Sequence, residues 1–364
     1  MAFEDPAIPK GSTVLVTGAS GWVGSNVADQ FLAYGYKVRG TTRDVNKAAW
    51  MKETFEKKYG SGVFELVSVP DMVADGAYDE AVKGVTAVAH TASVMTYDAD
   101  PNKVIPAVIA GSVNALKAAY AELSVKRFVL TSSSTAAVLS SPGKPKVVVT
   151  KDTYNEEAVK IAWSEPPYDA RHGGYVYAAS KAQGEQAVWR FYEENRAKRP
   201  DLVVNAVLPN VVFGKTLDLQ RQGYQSSPAL VASLYRGEIS PIHHAVNPQY
   251  FVDASDVGAL HVAGAILPDV KDERIFGFAG RFNWDDVLAI FRKHEPEKTF
   301  PDNFSDGRDP NEIEPASRAE QLLQELGRPG ITALPNSAYY ALFSATNIIM
   351  CIATRTHNYM LQSC

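Results

Sequence analysis

The segment 176–190, VYAASKAQGEQAVWR, places Tyr177 four residues before Lys181 in a stretch with helical periodicity. On a helix that spacing sets a phenol and an ammonium on one face, one turn apart. Such a pair suits proton transfer, because a phenol can carry the proton and a nearby cation acts on its acidity. Of the 17 tyrosines in the chain, Tyr177 alone has a lysine at that distance. A chain this rich in tyrosine produces such a spacing by chance as well, so the pair takes its meaning from what surrounds it.

The stretch 14–32, VLVTGASGWVGSNVADQFL, runs from an apolar strand through Gly18, Gly21 and Gly24 into a helix. Glycines in that context let the backbone turn tightly and approach a pyrophosphate, whose charge meets the helix N-terminus. This is the pattern of a dinucleotide site. The second strand ends VRGTTRD, without the acidic residue that would bind a ribose 2′-hydroxyl. Arg43, with Arg39 or Lys47, is placed to hold a 2′-phosphate through charge-assisted hydrogen bonds, and NADPH is the expected cofactor. Asp44 follows directly and caps the next helix on this reading. Further on, VLTSSSTAA (129–137) ends a strand with Ser132, Ser133 and Ser134. A hydroxyl there either hydrogen-bonds a substrate carbonyl or fills a turn, and the segment alone leaves both open.

The elements that must position these residues alternate in kind. Short β-branched runs at 13–17, 36–42, 63–69, 85–90, 126–132 and 202–209 are separated by helical patterns at 22–34, 44–59, 77–83, 103–122 and 175–198. Several runs are apolar throughout, as in strands buried on both faces of a parallel sheet. The fold class expected is α/β, a doubly wound parallel sheet of the Rossmann type. After residue 210 the rhythm changes: apolar helices at 227–236, 256–267 and 284–293 alternate with proline-rich connections. The division expected is a dinucleotide-binding domain at 1–210, a smaller irregular substrate lobe at 211–330 and a divergent tail at 331–364. Parts of 134–174 are expected to join the lobe, and helix 256–267 to return to the first domain.

A net charge of −5 without basic blocks argues against a nucleic-acid partner. The two cysteines, Cys351 and Cys364, build no disulfide framework, and the seven histidines have no metal-ligand spacing, so no metal is expected. The N-terminal MAFEDPAIPKG lacks an apolar signal core, and the uncharged run 338–354 is short and polar for a span. A cytoplasmic protein, monomer or homodimer, with no membrane partner is expected.

Four segments together, TGASGWVG, LTSSS, YAASK and LPNVVFG, resemble the extended short-chain dehydrogenases/reductases over roughly residues 11–330. The segment DMVADGAYDEAVKGVTAVAHTAS (71–93) and GRPG (327–330) resemble the dihydroflavonol-reductase-like branch and, within it, the yeast NADPH-dependent aldehyde and ketone reductases. That resemblance implies a Ser133–Tyr177–Lys181 set, with tyrosine donating the proton, serine holding the carbonyl oxygen and lysine gripping the nicotinamide ribose. A phenol with an ordinary pKa near ~10 is a weak acid–base group at neutral pH, and the lysine charge is expected to lower it. The cofactor set implied is Thr17, Gly18, Ser20, Gly21, Trp22, Val23 and Gly24 around the pyrophosphate, and Arg43 and Lys47 at the 2′-phosphate. Asp71 and Met72 would lie near the adenine, Thr91, Ala92 and Ser93 beside the ribose, and Pro209, Val211 and Val212 against the carboxamide, with Tyr177 and Lys181 completing the set. Where many members carry a relay asparagine on the fourth helix, this chain has Ala107.

The function expected is NADPH-dependent reduction of aldehydes and ketones, such as keto esters and aryl ketones, to chiral alcohols. The pocket is expected from Val94 to Tyr97, Trp163, Val211, Tyr224 and 242–251 (IHHAVNPQYF). A sugar-nucleotide epimerase or dehydratase, or a non-catalytic NADP(H) sensor, is the alternative. All these residues lie upstream of 332, so the tail 332–364 is expected to be dispensable for activity.

Overall fold

Seven strands rich in Val, Ala and Leu form one parallel sheet, because their side chains find apolar neighbours on both faces. The computed structural model describes residues 5–169, 171–339 and 342. In chain order the strands are β1 (Thr13–Thr17), β2 (Lys37–Thr42), β3 (Phe64–Ser68), β4 (Ala87–His90), β5 (Arg127–Thr131) and β6 (Val148–Val149). They continue with β7 (Val203–Pro209), β8 (Val211–Phe213), β9 (Gln249–Asp253), β10 (Arg274–Gly277), β11 (Gly280–Phe282) and β12 (Glu312–Ile313). The large sheet runs β10-β7-β5-β4-β1-β2-β3, with every neighbouring pair parallel. This is the doubly wound order, and it leaves the ends of β1 and β4 side by side where the strand order reverses.

Helices α1 (Trp22–Ala33), α2 (Val45–Ala48), α3 (Trp50–Tyr59), α4 (Pro101–Ala121), α5 (Glu156–Ala162) and α6 (His172–Asn195) belong to the first half of the chain. The expected helix 44–59 is two pieces joined at Ala49. The expected helix at 77–83 is a run of turns between Gly76 and Gly84, both in the left-handed region, too short to nucleate a helix. Among the described residues α4 is the one helix long and apolar enough to cross a membrane. Its apolar face is used within the fold: Val108 lies so close to Gly184 of α6 that an added Cβ there would stand 3.1 Å from it.

The second half adds α7 (Leu219–Gln222), α8 (Ser227–Tyr235), α9 (Pro241–Ala245), α10 (Ala254–Ile266), α11 (Trp284–His294), α12 (Ala316–Glu325) and α13 (Leu334–Tyr339). Helix α11 shows why this lobe closes. A capping box of Asn283 and Asp286 starts it, and Trp284, Val287, Leu288 and Phe291 form an i, i+3, i+4, i+7 stripe. That stripe packs with Phe213, Phe251 and Phe282 into a separate aromatic core. Beside it is a three-stranded sheet, β11-β9-β8, which the sequence pattern did not reveal because its strands are three to five residues long. Strands β6 and β12 pair across the chain, and their buried residues Val149 and Ile313 pack in a core cluster of the large sheet. Helix α10 lies against α1 so closely that a Cβ on Gly258 would sit 2.7 Å from the Asn26 carbonyl.

The start of the tail packs against the rest of the protein. Asp256 accepts hydrogen bonds from the Thr332 N–H at 2.7 Å, the Thr332 hydroxyl at 3.0 Å and Arg328 at 2.6 Å. Ala338 and Tyr339 are buried in the aromatic core, and the Tyr339 hydroxyl donates to Glu295 at 2.6 Å. The uncharged character of Ala338, Tyr339 and Leu342 is thus explained by burial. Residues 340, 341 and 343–364, which carry both cysteines, lie outside the described residues.

Candidate active site

Helix α6 carries Tyr177 and Lys181 on successive turns, facing the end of β5 and the segment after β4. The Lys181 ammonium donates to the Ser93 hydroxyl at 3.2 Å and lies 5.9 Å from the centre of the Tyr177 ring. At the end of β5 the three serines diverge. Ser132 donates to Glu185 at 2.6 Å, and Ser134 is buried in a 3₁₀ turn at 134–136. Ser133 caps that turn, accepting from the Thr135 N–H at 3.2 Å and the Thr135 hydroxyl at 3.0 Å, and it lies near enough to the Tyr177 phenol to act on its acidity. The structure therefore brings Ser133, Tyr177 and Lys181 together and turns the flanking serines away.

The electrostatics differ from the expectation. Burial pushes the Tyr177 phenol up to about 12, the Tyr97 ring beside it adds to the rise, and the Ser133 hydrogen bond opposes it. Lys181 does not lower this value, because with its own pKa held at about 8 it is neutral in the range where the phenol titrates. Burial holds Lys181 itself down at about 8, with Glu185 pulling upward. Tyr177 thus keeps its proton at neutral pH, the state that a proton donor requires.

The glycine turn is shaped for a phosphate. Gly18 has φ of 63°, and a Cβ there would come 2.9 Å from the backbone of Ala92. On Gly24 a Cβ would stand 2.3 Å from the Gly18 carbonyl, so only hydrogen allows α1 to start that close to the turn. Gly21 is the N-cap and supplies no side chain, leaving the first N–H groups of the 12-residue α1 unmet by a cap. Ser20 pairs with Thr42 at 3.2 Å, and the Gly18 N–H donates to Thr41 at 3.0 Å, which gives the threonines of β2 a structural task.

Several predicted contacts are redistributed. The Thr17 hydroxyl is fully buried and accepts from the N–H groups of Thr91 and Ala92, and the Thr91 hydroxyl turns back to the Thr17 carbonyl. Both side chains tie β1 to β4, and Ser93 is the member of its trio that meets Lys181. Trp22 is buried with Val212, Val252 and Val257, so what Trp22 offers the cleft is backbone; Val23 packs partly buried beside it. The same cluster sets Val212, just past Pro209, next to the glycine turn, while Val211 packs toward the aromatic core. Asp71 accepts from the Val73 N–H, and Met72 lies against Gly111 of α4. Asn114 on α4 pins this segment by donating to the Val73 and Ala74 carbonyls.

Arg43 is exposed and forms no ion pair among the described residues. It opens onto a cleft of about 470 Å³ with Ser20, Thr42, Lys47 and Trp50. Asp44 caps α2 through the N–H groups of Asn46 and Lys47. Arg39 is removed from the phosphate set: it binds Glu65 at 2.6 Å and the Ala81 and Lys83 carbonyls instead. The cleft's far wall was missed from sequence. Arg221 and Gln225 come from the second lobe, and Gln222 donates to the Ser25 hydroxyl at 3.0 Å, clasping the glycine turn. Nothing in their spacing marks them, since they are brought in by tertiary structure.

The predicted substrate pocket is partly corrected. Tyr97 is exposed and stacks on Tyr177 with ring centres 5.2 Å apart, Met95 is exposed, and Val94 packs beside Val176. Trp163 is exposed and bonds Gln183, and the Tyr224 hydroxyl donates to the Leu342 carbonyl. His243, Tyr250 and Phe251 are core residues: His243 packs edge-on against Trp284, and Tyr250 bonds the Asn311 carbonyl. Their polar and aromatic character serves packing. On α4, Ala107 is partly buried, and the polar side chain near Lys181 is Ser112, one lining residue of a water-sized cavity of about 10 Å³.

The model of the NAD dependent epimerase/dehydratase family matches residues 14–273. An aldehyde reductase 2 of Sporidiobolus salmonicolor is 42% identical over 336 residues, covering 92% of this chain and 96% of its own. A protein of Aspergillus terreus named as an NAD-dependent epimerase/dehydratase is 37% identical over 350 residues, covering 94% of this chain and all of its own. The yeast methylglyoxal/isovaleraldehyde reductase solved with NADPH shares the fold, with a TM-score of 0.74 at 22% identity over 90% of this chain and 96% of that one. The chain belongs to the NAD dependent epimerase/dehydratase family, in the extended branch of the short-chain dehydrogenases/reductases.

Proposed function

We propose that this protein is an NADPH-dependent reductase of aldehydes and ketones, including keto esters and aryl ketones, that forms chiral alcohols. The observation that carries the reading is a tyrosine held protonated at neutral pH, with Ser133 at its hydroxyl and Lys181 one turn away. The aldehyde reductase at 42% identity supports it, since the likeness spans 96% of that protein.

The residues present fit the cofactor. The uncapped start of α1 behind Gly18, Gly21 and Gly24 would hold the pyrophosphate, Arg43 and Lys47 a 2′-phosphate, and Lys181 the nicotinamide ribose. Bound NADPH supplies the hydride. The protein's own part is to orient the carbonyl between Ser133 and Tyr177 and to give it a proton. As negative charge grows on the substrate oxygen, the Tyr177 hydroxyl releases its proton to it while Ser133 donates a hydrogen bond to the same atom. Tyr97, tilted against the Tyr177 ring at the surface, lines one side of the space beside the phenol.

The test is NADPH consumption against a panel of aldehydes, keto esters and aryl ketones, with Tyr177→Phe in parallel. The wild type should oxidise NADPH stoichiometrically with alcohol formed. Tyr177→Phe should lose ~10²–10⁴-fold in kcat while still binding NADPH. An enzyme that retains tightly bound NAD and isomerises a sugar nucleotide without net oxidation would overturn this reading, as would wild-type turnover by Tyr177→Phe.

A further inference from the structure

One turn beyond Lys181, α6 carries Glu185, a fully buried carboxylate that the proton-transfer chemistry above does not use. Every partner it has is a donor. Ser132 donates to Oε2 at 2.6 Å, Arg274 Nε to Oε1 at 2.6 Å, Arg274 Nη2 to Oε2 at 3.4 Å and Trp189 Nε1 to Oε1 at 3.1 Å. Arg274, on β10, is itself buried. Its guanidinium also donates to the Lys151 and Thr153 carbonyls at 2.7 and 2.8 Å and lies 4.1 Å from the centre of the Tyr154 ring. Burying such a pair contributes little to stability compared with apolar residues of the same volume. Its position is more telling. One oxygen of Glu185 fixes Ser132, the immediate neighbour of Ser133, and the same side chain borders the water-sized cavity that Lys181 lines.

We propose that Glu185 is a positioning residue for the reduction: through Ser132 it fixes the end of β5 so that Ser133 meets Tyr177, and its charge keeps Lys181 in the ammonium form. This rests on the reading of Ser133, Tyr177 and Lys181 as the reductive machinery. The surroundings support the second part. The groups facing Lys181 are Tyr177 on its own helix, Ser93 from the segment after β4, and His90 on β4, which burial keeps neutral. Helix α4 adds only Val108 and Ser112 to the cavity. Glu185 is thus the negative charge that offsets the burial of Lys181, and it pulls the lysine's pKa upward from a value already depressed to about 8. Arg274 and Tyr154 lie on the far side of the carboxylate and hold it in place.

Two variants separate the parts. Glu185→Gln keeps the shape and removes the charge, so Lys181 should lose its proton at lower pH. The alkaline limb of the kcat–pH profile should move acidic, and kcat at the optimum should fall roughly tenfold or more as Ser133 loosens. Ser132→Ala keeps the charge and cuts the link to β5, so kcat should fall while the alkaline limb stays in place and NADPH affinity, read by fluorescence titration, is preserved. A merely structural role would lower the denaturation midpoint and move neither the limb nor the kcat of the folded protein. An unmoved limb in folded Glu185→Gln, or wild-type kcat in Ser132→Ala, overturns the proposal. If Glu185→Gln does not fold, Ser132→Ala decides alone. Tyr177→Phe, assayed alongside, distinguishes failure of this proposal from failure of the reductase reading, because full activity in that variant removes the machinery that Glu185 would position.

Discussion

Replacing Lys181 by methionine should make the protein more stable and abolish its activity. Lys181 is buried, and its pKa is depressed from 10.5 to about 8. Each unit of such a shift corresponds to ~1.36 kcal/mol, so carrying the charged lysine costs the folded state about 3 kcal/mol at neutral pH. Methionine fills a similar volume without that cost, but it gives up the hydrogen bond to Ser93, a loss of about 1 kcal/mol. The expected gain is about 2 kcal/mol, or roughly 3 °C in Tm for a chain of this size. The folded pKa lies below the unfolded one. Between about 8 and 10.5 the unfolded chain therefore holds a proton that the folded protein has released. Wild-type stability rises through that window, and the advantage of Lys181→Met should be full below about 8 and shrink toward 10.5. Urea denaturation of both proteins across that range reads the difference directly. A variant that is less stable at neutral pH, or one whose offset is the same at both ends of the window, would refute the reasoning.

Other expectations are equally direct. Arg43→Ala should weaken NADPH ten- to a hundredfold, the equivalent of ~1.5–3 kcal/mol for a charge-assisted contact, and leave NADH nearly untouched; equal losses for both cofactors, measured by titration, would assign Arg43 to folding. Gly24→Ala pushes a methyl group to 2.3 Å from the Gly18 carbonyl and 2.7 Å from the Thr91 hydroxyl, an overpacking cost of about 1–3 kcal/mol. Displacement of the turn should lower affinity for both cofactors in a folded protein, which circular dichroism and titration together would show. Deleting 343–364 should leave turnover intact, whereas deletion from 332 should lower the denaturation midpoint, because it strips Tyr339 from the aromatic core and two hydrogen bonds from Asp256.

What could be read from sequence followed from how local the controlling physics is. The glycine turn, the buried strands and the Tyr177–Lys181 spacing depend on residues within one element or one strand–turn–helix unit, and their patterns survive in the sequence. The small sheet of β8, β9 and β11 did not show, because strands of three to five residues carry too few alternations to define a period. The turns at 77–83 looked helical because Tyr78, Ala81, Val82 and Val85 are spaced for one buried face, yet Gly76 and Gly84 end the segment at both sides. His243, Tyr250 and Phe251 looked like pocket residues because composition cannot distinguish an aromatic that lines a cleft from one that fills a core. Glu185, Ser112 and Arg221 were passed over for the opposite reason: their surroundings come from elements distant in sequence. The lysine effect on Tyr177 was misjudged because spacing gives the separation along the helix but not the burial that raises the phenol and depresses the lysine.

The chain passes between the seven-stranded and three-stranded sheets at 209–211 and 277–280, each time with two residues of slack or fewer, and runs directly from β9 into α10 at 253–254. These passages lie side by side and are stitched together: the Asn210 N–H donates to the Gly277 carbonyl at 3.1 Å, and the Ala279 N–H to the Phe251 carbonyl at 2.7 Å. Mechanically this is a riveted seam, and it resists both sliding and twisting of one body against the other. Wide clam-like opening, of the kind that single flexible linkers permit, is closed to such a molecule. Traffic to the tyrosine must therefore be governed by the irregular strip at 91–99, where Tyr97 sits, and by the short clasp around Gln222. The seam also means that the second lobe is no transferable cassette: exchanging it between relatives requires a splice at every one of these passages, and again on either side of α12, which packs in the first core, whereas reshaping those two surface segments requires none.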